Sequence, residues 1–341
     1  MNLDNVLQSK SLIKWVGGKQ RNLDKILHHF PSVINNYHEL FLGGGSVLLG
    51  LLDCICSNKI KLNGNIYVYD LNKTLIHFYK NIQTDYIKVY NYIKPIIEDY
   101  KNINVQNSII YKKKDGKENF LKENPGIDIK NKNNKQILDS YLKTKLSENL
   151  NNNKNQSKEA YYYYIRDLYN NMTSDEQASF YGTALFIFLN KTCFRGVFRI
   201  GPDGFNVPFG NYKNPEIVNI NSLKKISSLI SSVHFSQSSF EESFQNIQER
   251  DFVYLDPPYV PEKISSFVGY TLDGFNLDKH KKLFSLTKNL NSNNIKFVMS
   301  NSNVKLVTET FSEFTIEKII CRRSINSKKP DSETTEVIIY N

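Results

Sequence analysis

Nowhere in the 341 residues is there an apolar run long enough to span a bilayer, and Met1-Asn2-Leu3-Asp4-Asn5 lacks the profile of a secretory leader. The chain is therefore expected to be soluble and intracellular, without a membrane partner. Cysteine is scarce: Cys54, Cys56, Cys193 and Cys321 have neither the spacing nor the nearby histidine pairs of a zinc site. No metal is expected, and Cys54 and Cys56 read as helix packing. A Gly-Lys-Ser/Thr phosphate loop is missing, which argues against a phosphate-binding nucleotide enzyme. No internal repeat is apparent, and Trp15 is the single tryptophan. What the chain does have is a 40% hydrophobic content, enough for a real core, and a formal charge of +10 that suits a polyanionic partner.

The stretch that organises the reading is Asp256-Pro257-Pro258-Tyr259, preceded by the apolar run Phe252-Val253-Tyr254-Leu255. A short buried strand that meets two prolines has to stop, because neither can donate to a sheet ladder. An acid, a rigid turn and an aromatic ring are thereby presented at a strand's carboxyl end, the edge at which open α/β sheets bind ligands. The Asp256 carboxylate and the Pro257 carbonyl are both pure acceptors and can take the two hydrogens of one amino group. An exocyclic amine on a nucleobase is a poor nucleophile because its lone pair is delocalised, and two acceptors would favour a localised, attacking pair. Tyr259 could stack on such a base. A strand-terminating turn with a buried tyrosine is the plainer alternative.

Two other segments have the layout of a nucleotide-type site. Tyr37-His38-Glu39-Leu40-Phe41-Leu42-Gly43-Gly44-Gly45-Ser46 reads as strand, glycine loop and helix start, and Ile66-Tyr67-Val68-Tyr69-Asp70 as a second strand ending in an acid. Glycines let a backbone approach a ligand, and a carboxylate after the second strand is where Rossmann-like sites hold ribose hydroxyls. The spacing departs from the pyrophosphate-cradling fingerprint, so a cofactor with a ribose and no pyrophosphate is implied. Ahead of these, Trp15-Val16-Gly17-Gly18-Lys19 precedes an amphipathic stretch from Asn22 to Phe30 that reads as a helix. Its amino end, with Lys19, is expected to favour an anion.

Between Lys101 and Lys158 the composition turns Asn- and Lys-rich, which predicts a mobile surface insertion with room for one helix around Ile137 to Leu146. Farther on, Phe194-Arg195-Gly196-Val197-Phe198-Arg199 and the turn Gly201-Pro202-Asp203-Gly204 predict a hairpin on a helical base. Arginine suits bidentate contact with guanine or phosphate, and an exposed aromatic can fill a gap in a base stack. An ordinary hairpin with solvated arginines remains the alternative. The chain ends in two predicted strands joined by the basic loop Arg322 to Lys329.

Taken in order, Lys14 to Lys19, Glu39 to Gly45, Tyr69 to Asn72, Leu189 to Lys213, Asp256 to Tyr259 and Arg322 to Lys328 resemble the Dam-type, alpha-class adenine-N6 DNA methyltransferases. The resemblance implies an α/β fold, a Rossmann-like and mostly parallel methyltransferase sheet with an inserted, mainly helical DNA-recognition domain. On that pattern 1–78 and 233–341 form the catalytic domain and 79–232 the recognition domain, which contains the flexible insertion 101–158. It further implies S-adenosylmethionine as cofactor and an adenine flipped out of double-stranded DNA as substrate. Trp15, Lys19, Glu39, Phe41, Gly43, Gly45, Asp70 and Asp256 correspond to cofactor positions, with Asp256, Pro257, Pro258 and Tyr259 catalytic. Lys14, Phe194, Arg195 and Arg199 fall at DNA-contact positions, Phe194 as the aromatic that enters the duplex and Arg199 as a guanine reader.

Arg195 departs from the asparagine of the GATC-reading members, so GATC is the default target and CATG a competitor. A monomer is expected, cytoplasmic or nucleoid-associated, and a separately acting cognate restriction endonuclease is a candidate partner. An RNA or protein amine methyltransferase, or a non-catalytic DNA-binding relative, is the alternative. The former would not need the Phe194 to Arg199 hairpin, and the latter would be expected to have lost part of the tetrapeptide or the glycine loop.

Overall fold

The computed structural model describes residues 9–103, 113–261, 275–322 and 333–341. Its centre is a seven-stranded sheet whose members, in chain order, are β1 (Tyr37–Glu39), β2 (Ile66–Asp70), β3 (Val233–Gln237), β4 (Phe252–Leu255), β5 (Lys296–Ser302), β6 (Thr315–Arg322) and β7 (Glu333–Tyr340). Their spatial order is β6-β7-β5-β4-β1-β2-β3. The five strands from β3 to β5 run parallel, and β7 pairs antiparallel with both β5 and β6. This is the expected α/β architecture, a mainly parallel Rossmann-like sheet. Interior parallel strands are covered on both faces, which is why β4 reads as an uninterrupted apolar run with all four residues buried.

Chain order reverses between β1 and β4. From β1 the sheet grows through β2 to β3 on one side, and from β4 to β5 on the other. Helices diverge at such a switch point, leaving a crevice beyond the carboxyl ends of the two strands. Register makes this crevice acidic: Glu39 lies beside both Val68 and Tyr254, so Asp70 and Asp256 project two residues farther along the strands that flank it. The core on which the sheet rests includes Leu40, Val253, Leu255, Leu283, Met299 and Ile339.

Three helices frame the site: α1 (Leu23–His28), α2 (Ser46–Cys56) and α3 (Lys73–Asn102). The first covers only six residues, within the Asn22 to Phe30 span expected for it. Cys54 is buried on α2 while Cys56 is exposed. No helix among the described residues is long and apolar enough to cross a membrane, and no cluster of side chains that could hold a metal occurs among them.

Contacts divide the chain into two units, Met1–Tyr86 with Asn221–Asn341, and Ile87–Ile220. The sequence-based edges, at Tyr79 and Ser232, both fall inside the first unit. Tyr79 belongs there because its ring stacks on Phe235 at 5.2 Å and its hydroxyl donates to Gly44 O. Gln83 does likewise, its amide donating to the carbonyls of Ile230 and Val233. The chain leaves this unit where α3 is interrupted by Asp85, a residue with extended backbone angles.

The second unit is helical, built on Lys113–Glu123, Lys132–Asn153, Lys158–Asn171 and Phe180–Thr192. Within the Asn- and Lys-rich insertion the helix expected around Ile137 to Leu146 is present as Lys132–Asn153, and among the described residues a second, Lys113–Glu123, was not expected. Three widely spaced residues, Phe120, Leu138 and Leu142, are enough for a small buried cluster, with Ile127, Ile129 and Tyr141 packed on it. Polar composition hid that cluster, because a helix needs only a stripe of apolar side chains to find cover. The basic loop proposed beyond Arg322 lies outside the described residues.

Candidate active site

Asp256 follows β4 directly, and its two oxygens differ. Oδ2 receives the Lys19 ammonium at 2.8 Å, while Oδ1 is buried with no hydrogen-bond partner among the described residues. Burial lifts the carboxyl above its ordinary range, and the adjacent Lys19 pulls it back down. The two prolines end the strand as their chemistry requires. Beyond them Val260 N donates to Asn301 Oδ1 at 3.2 Å and Ser302 Oγ donates to Val260 O at 2.6 Å, which ties the turn to the end of β5. Tyr259 donates its hydroxyl to Glu336 Oε2 at 3.0 Å, and its ring centroid lies 4.8 Å from the Lys19 ammonium.

Lys19 therefore does not stand as an open cation for an anionic guest ahead of α1. Its ammonium is held by Asp256 and by Gly17 O at 2.7 Å, its backbone N–H donates to Ser46 Oγ at 3.1 Å, and the side chain is 7% exposed. The anion beside Lys19 is the chain's own carboxylate, at the end of β4.

The glycine loop enters from β1. Gly43 and Gly45 have φ of 51° and 69°, left-handed conformations that glycine adopts without steric cost. At Gly44 the reason is space: a Cβ there would stand 2.9 Å from Trp15 Cβ. Trp15 thus lies half-buried against the loop rather than only capping the core. Asp70 closes the other side, accepting from Gly43 N at 2.9 Å through Oδ2 and from Asn72 N at 2.8 Å through Oδ1. Burial raises its pKa, and these two N–H groups work against that rise. Each oxygen keeps a further lone pair for another donor.

Glu39 occupies the floor of the crevice. It is 1% exposed, accepts the Tyr37 hydroxyl at 2.8 Å, and has its pKa pushed up to about 8, chiefly by burial, with Asp256 and Asp70 adding repulsion. Its neighbour Phe41 packs on Phe240 and Phe275 at centroid distances of 6.0 and 6.2 Å. Trp15, Lys19, Glu39, Phe41, Gly43, Gly45, Asp70, Asp256, Pro257, Pro258 and Tyr259 all belong to the sheet-containing unit. Lys14, beside Trp15, is exposed in the same unit.

Phe194, Arg195 and Arg199 belong to the helical unit. The expected hairpin is there, with strands Ile200–Gly201 and Gly204–Phe205 following the helix Phe180–Thr192. Its base is pinned by Phe194 N to Pro208 O at 2.8 Å and by the bridge between Cys193 and Phe209. Phe194 is 48% exposed, an uncommon position for a phenylalanine, and the Arg195 guanidinium lies 5.2 Å from its ring centroid. Arg199 donates Nε–H to Asn206 Oδ1 at 2.6 Å and an Nη2 hydrogen to Asn206 O at 3.2 Å, which orients the guanidinium plane.

Sequence reasoning missed Glu336. It stands on β7, 77 residues beyond the tyrosine it holds. Its only signal was a glutamate placed directly ahead of Val337-Ile338-Ile339, which are fully buried, at the change from polar to apolar in the terminal strand.

The chain is similar to known proteins along most of its length. The model for the D12 class N6 adenine-specific DNA methyltransferases matches residues 15–150 and 127–325. Type II methyltransferase M.MjaIII of Methanocaldococcus jannaschii is 30% identical over 98% of this chain and 100% of its own length. Type II methyltransferase M1.LlaDCHI of Lactococcus lactis subsp. cremoris is 26% identical over 100% of this chain and 99% of its own. The DNA adenine methylase of Salmonella typhi is 26% identical over 94% and 90%.

Proposed function

Because the chain belongs to the D12 class of N6 adenine-specific DNA methyltransferases, we propose that it transfers a methyl group from S-adenosylmethionine to the N6 amine of an adenine flipped out of a short duplex site. The observation that carries this reading is Asp256 Oδ1, a buried acceptor without a partner among the described residues, next to the Pro257 carbonyl. An unpaired buried acceptor costs free energy, of order 1–3 kcal/mol, unless a ligand supplies the hydrogen. An amino group supplies two, one for each acceptor.

The crevice also suits the cofactor chemically. Its glycine loop leaves no room for a side chain beside Trp15, and Asp70 has lone pairs left for ribose hydroxyls. Trp15, Lys19, Glu39, Phe41, Gly43, Gly45, Asp70 and Asp256 are the residues that would hold it. When bound, S-adenosylmethionine supplies a methyl group on a positively charged sulfur. Everything else is the work of the chain. Asp256 Oδ1 and the Pro257 carbonyl draw on the N6 hydrogens and aim the nitrogen lone pair, while Tyr259 faces the base plane. The N–C bond would form as the methyl–sulfur bond breaks, so that positive charge passes from sulfur to nitrogen beside the Asp256 carboxylate, and the nitrogen would then release one of its protons to solvent.

Lys14, Phe194, Arg195 and Arg199 are assigned to DNA, Phe194 to the gap that the flipped base leaves. GATC is retained as the default target, with Arg195 making CATG the competing site. The test is methylation of genomic DNA by the purified protein, read by modification-sensitive sequencing, with Asp256→Ala alongside. The parent should deposit N6-methyladenine at one short motif, and the variant should deposit none while still binding DNA. Methylcytosine as product, or near-normal turnover by Asp256→Ala, would remove the mechanism.

A further inference from the structure

We propose that Glu336 is a positioning residue for the methyl-transfer site: it holds the Tyr259 ring by its hydroxyl and so fixes the face against which the target adenine rests. This rests on the reading of Asp256 to Tyr259 given above. Glutamate is depleted from strands, and here it stands on β7 between Ser302 of β5 and Ile319 of β6 and ahead of three fully buried aliphatic residues. Its carboxylate is the reason to keep it there. Oε2 accepts the Tyr259 hydroxyl at 3.0 Å, within the range of an O–H···O hydrogen bond.

The glutamate is itself restrained. The Cys321 thiol on β6 hydrogen-bonds it, and that sulfur in turn accepts from Asn22 Nδ2 at 2.8 Å. On the other side, the Lys19 ammonium bridges from the Tyr259 ring to Asp256. The backbone after the tetrapeptide is pinned separately, by Asn301 and Ser302. Backbone pinning leaves the side-chain torsions of Tyr259 open, and the hydroxyl contact anchors the far end of the ring and so limits its swing about χ1. Tyr259 and Glu336 also line a hollow of about 110 Å³ together with Ser302, Asn303, Thr334 and Thr335. A ring free to turn would change the width of that hollow and its own angle to a base.

The experiment compares single-turnover methylation, DNA KM and the fluorescence of a duplex carrying 2-aminopurine at the target position. The proteins are the parent, Glu336→Gln, Glu336→Ala, Tyr259→Phe and the Glu336→Ala/Tyr259→Phe double variant. Glu336→Ala should lower the transfer rate by about tenfold to a hundredfold, the range for losing a hydrogen bond to a charged group, with DNA KM little changed. Glu336→Gln keeps an acceptor and should retain most of the rate. Tyr259→Phe should lose as much as Glu336→Ala, and the double variant no more than either, because both remove one contact.

A parent-like rate in Glu336→Ala, multiplying losses in the double variant, or Glu336→Gln as impaired as Glu336→Ala would each overturn the proposal. Should Glu336→Ala fail to fold, Tyr259→Phe and Glu336→Gln decide it, since a parent-like rate in Tyr259→Phe leaves the hydroxyl contact without a role. Asp256→Ala separates the two layers. If it keeps turnover the amine-orienting reading fails, whereas an inactive Asp256→Ala beside a parent-like Glu336→Ala removes this proposal alone.

Discussion

Replacing Glu39 by glutamine should change how stability depends on pH while leaving the Tyr37 hydroxyl an acceptor. In the folded protein the Glu39 pKa is raised from 4.5 to about 8, mainly because the carboxyl is buried at the end of β1. A carboxyl whose folded pKa lies above its unfolded value gives stability that is fully present below the unfolded pKa and is lost as pH rises through the folded one. Between roughly pH 4.5 and 8 the unfolded chain has released this proton and the folded chain has not, so each pH unit costs the parent about 1.4 kcal/mol. Across that window the loss reaches about 5 kcal/mol, and above it the curve is flat. Glutamine cannot titrate, so the stability difference between variant and parent should climb in the variant's favour from pH 5 to 8 and then level off. Urea unfolding at a series of pH values measures it, followed by the fluorescence of Trp15, the single tryptophan, which lies in the same unit. A difference that does not vary with pH would show that Glu39 ionises normally and would refute the reasoning.

The remaining predictions concern ligands. Asp70→Ala should weaken S-adenosylmethionine binding in calorimetry by at least about tenfold, since a buried hydroxyl acceptor is lost, and leave DNA affinity unchanged; equal affinity would move the ribose elsewhere. Arg199→Ala should relax one position of the target by about 1–3 kcal/mol in a panel of single-base variants, whereas a uniform loss with a shallower salt dependence would reduce Arg199 to a phosphate contact.

The sheet and its acidic crevice were legible because each strand announces itself locally. Two prolines end β4, glycines follow β1, and Asp70 ends β2, so the three carboxyl ends could be read without knowing how the strands pair. What could not be read is which side chains meet across strands. Lys19 and Asp256 are far apart in sequence, and so are Tyr259 and Glu336, and their contacts exist only once the order β7-β5-β4-β1 is set. The insertion was misjudged for a different reason. Its composition is that of a solvated surface, and three apolar residues among many lysines and asparagines signal a helix pair only through their spacing.

Adjacent strand ends bring three carboxyl groups, Glu39, Asp70 and Asp256, into one crevice with the Lys19 ammonium. Like charges so close do not all ionise at once, and the surroundings sort them. Burial raises all three, Glu39 to about 8, while backbone N–H groups oppose the rise at Asp70 and the Lys19 ammonium opposes it at Asp256. The two acids whose rise is opposed are the two that the proposed reading uses as acceptors. On the proposed reading that is the complement of the chemistry, in which positive charge is carried from sulfur to the N6 nitrogen. Ionised Glu39 would add a further negative charge beside Asp70 and Asp256, and a protonated Asp256 would be a poorer acceptor for the amine. The proton on Glu39 and the ion pair at Asp256 are thus two parts of one charge arrangement, coupled through the repulsion between the two carboxyl groups.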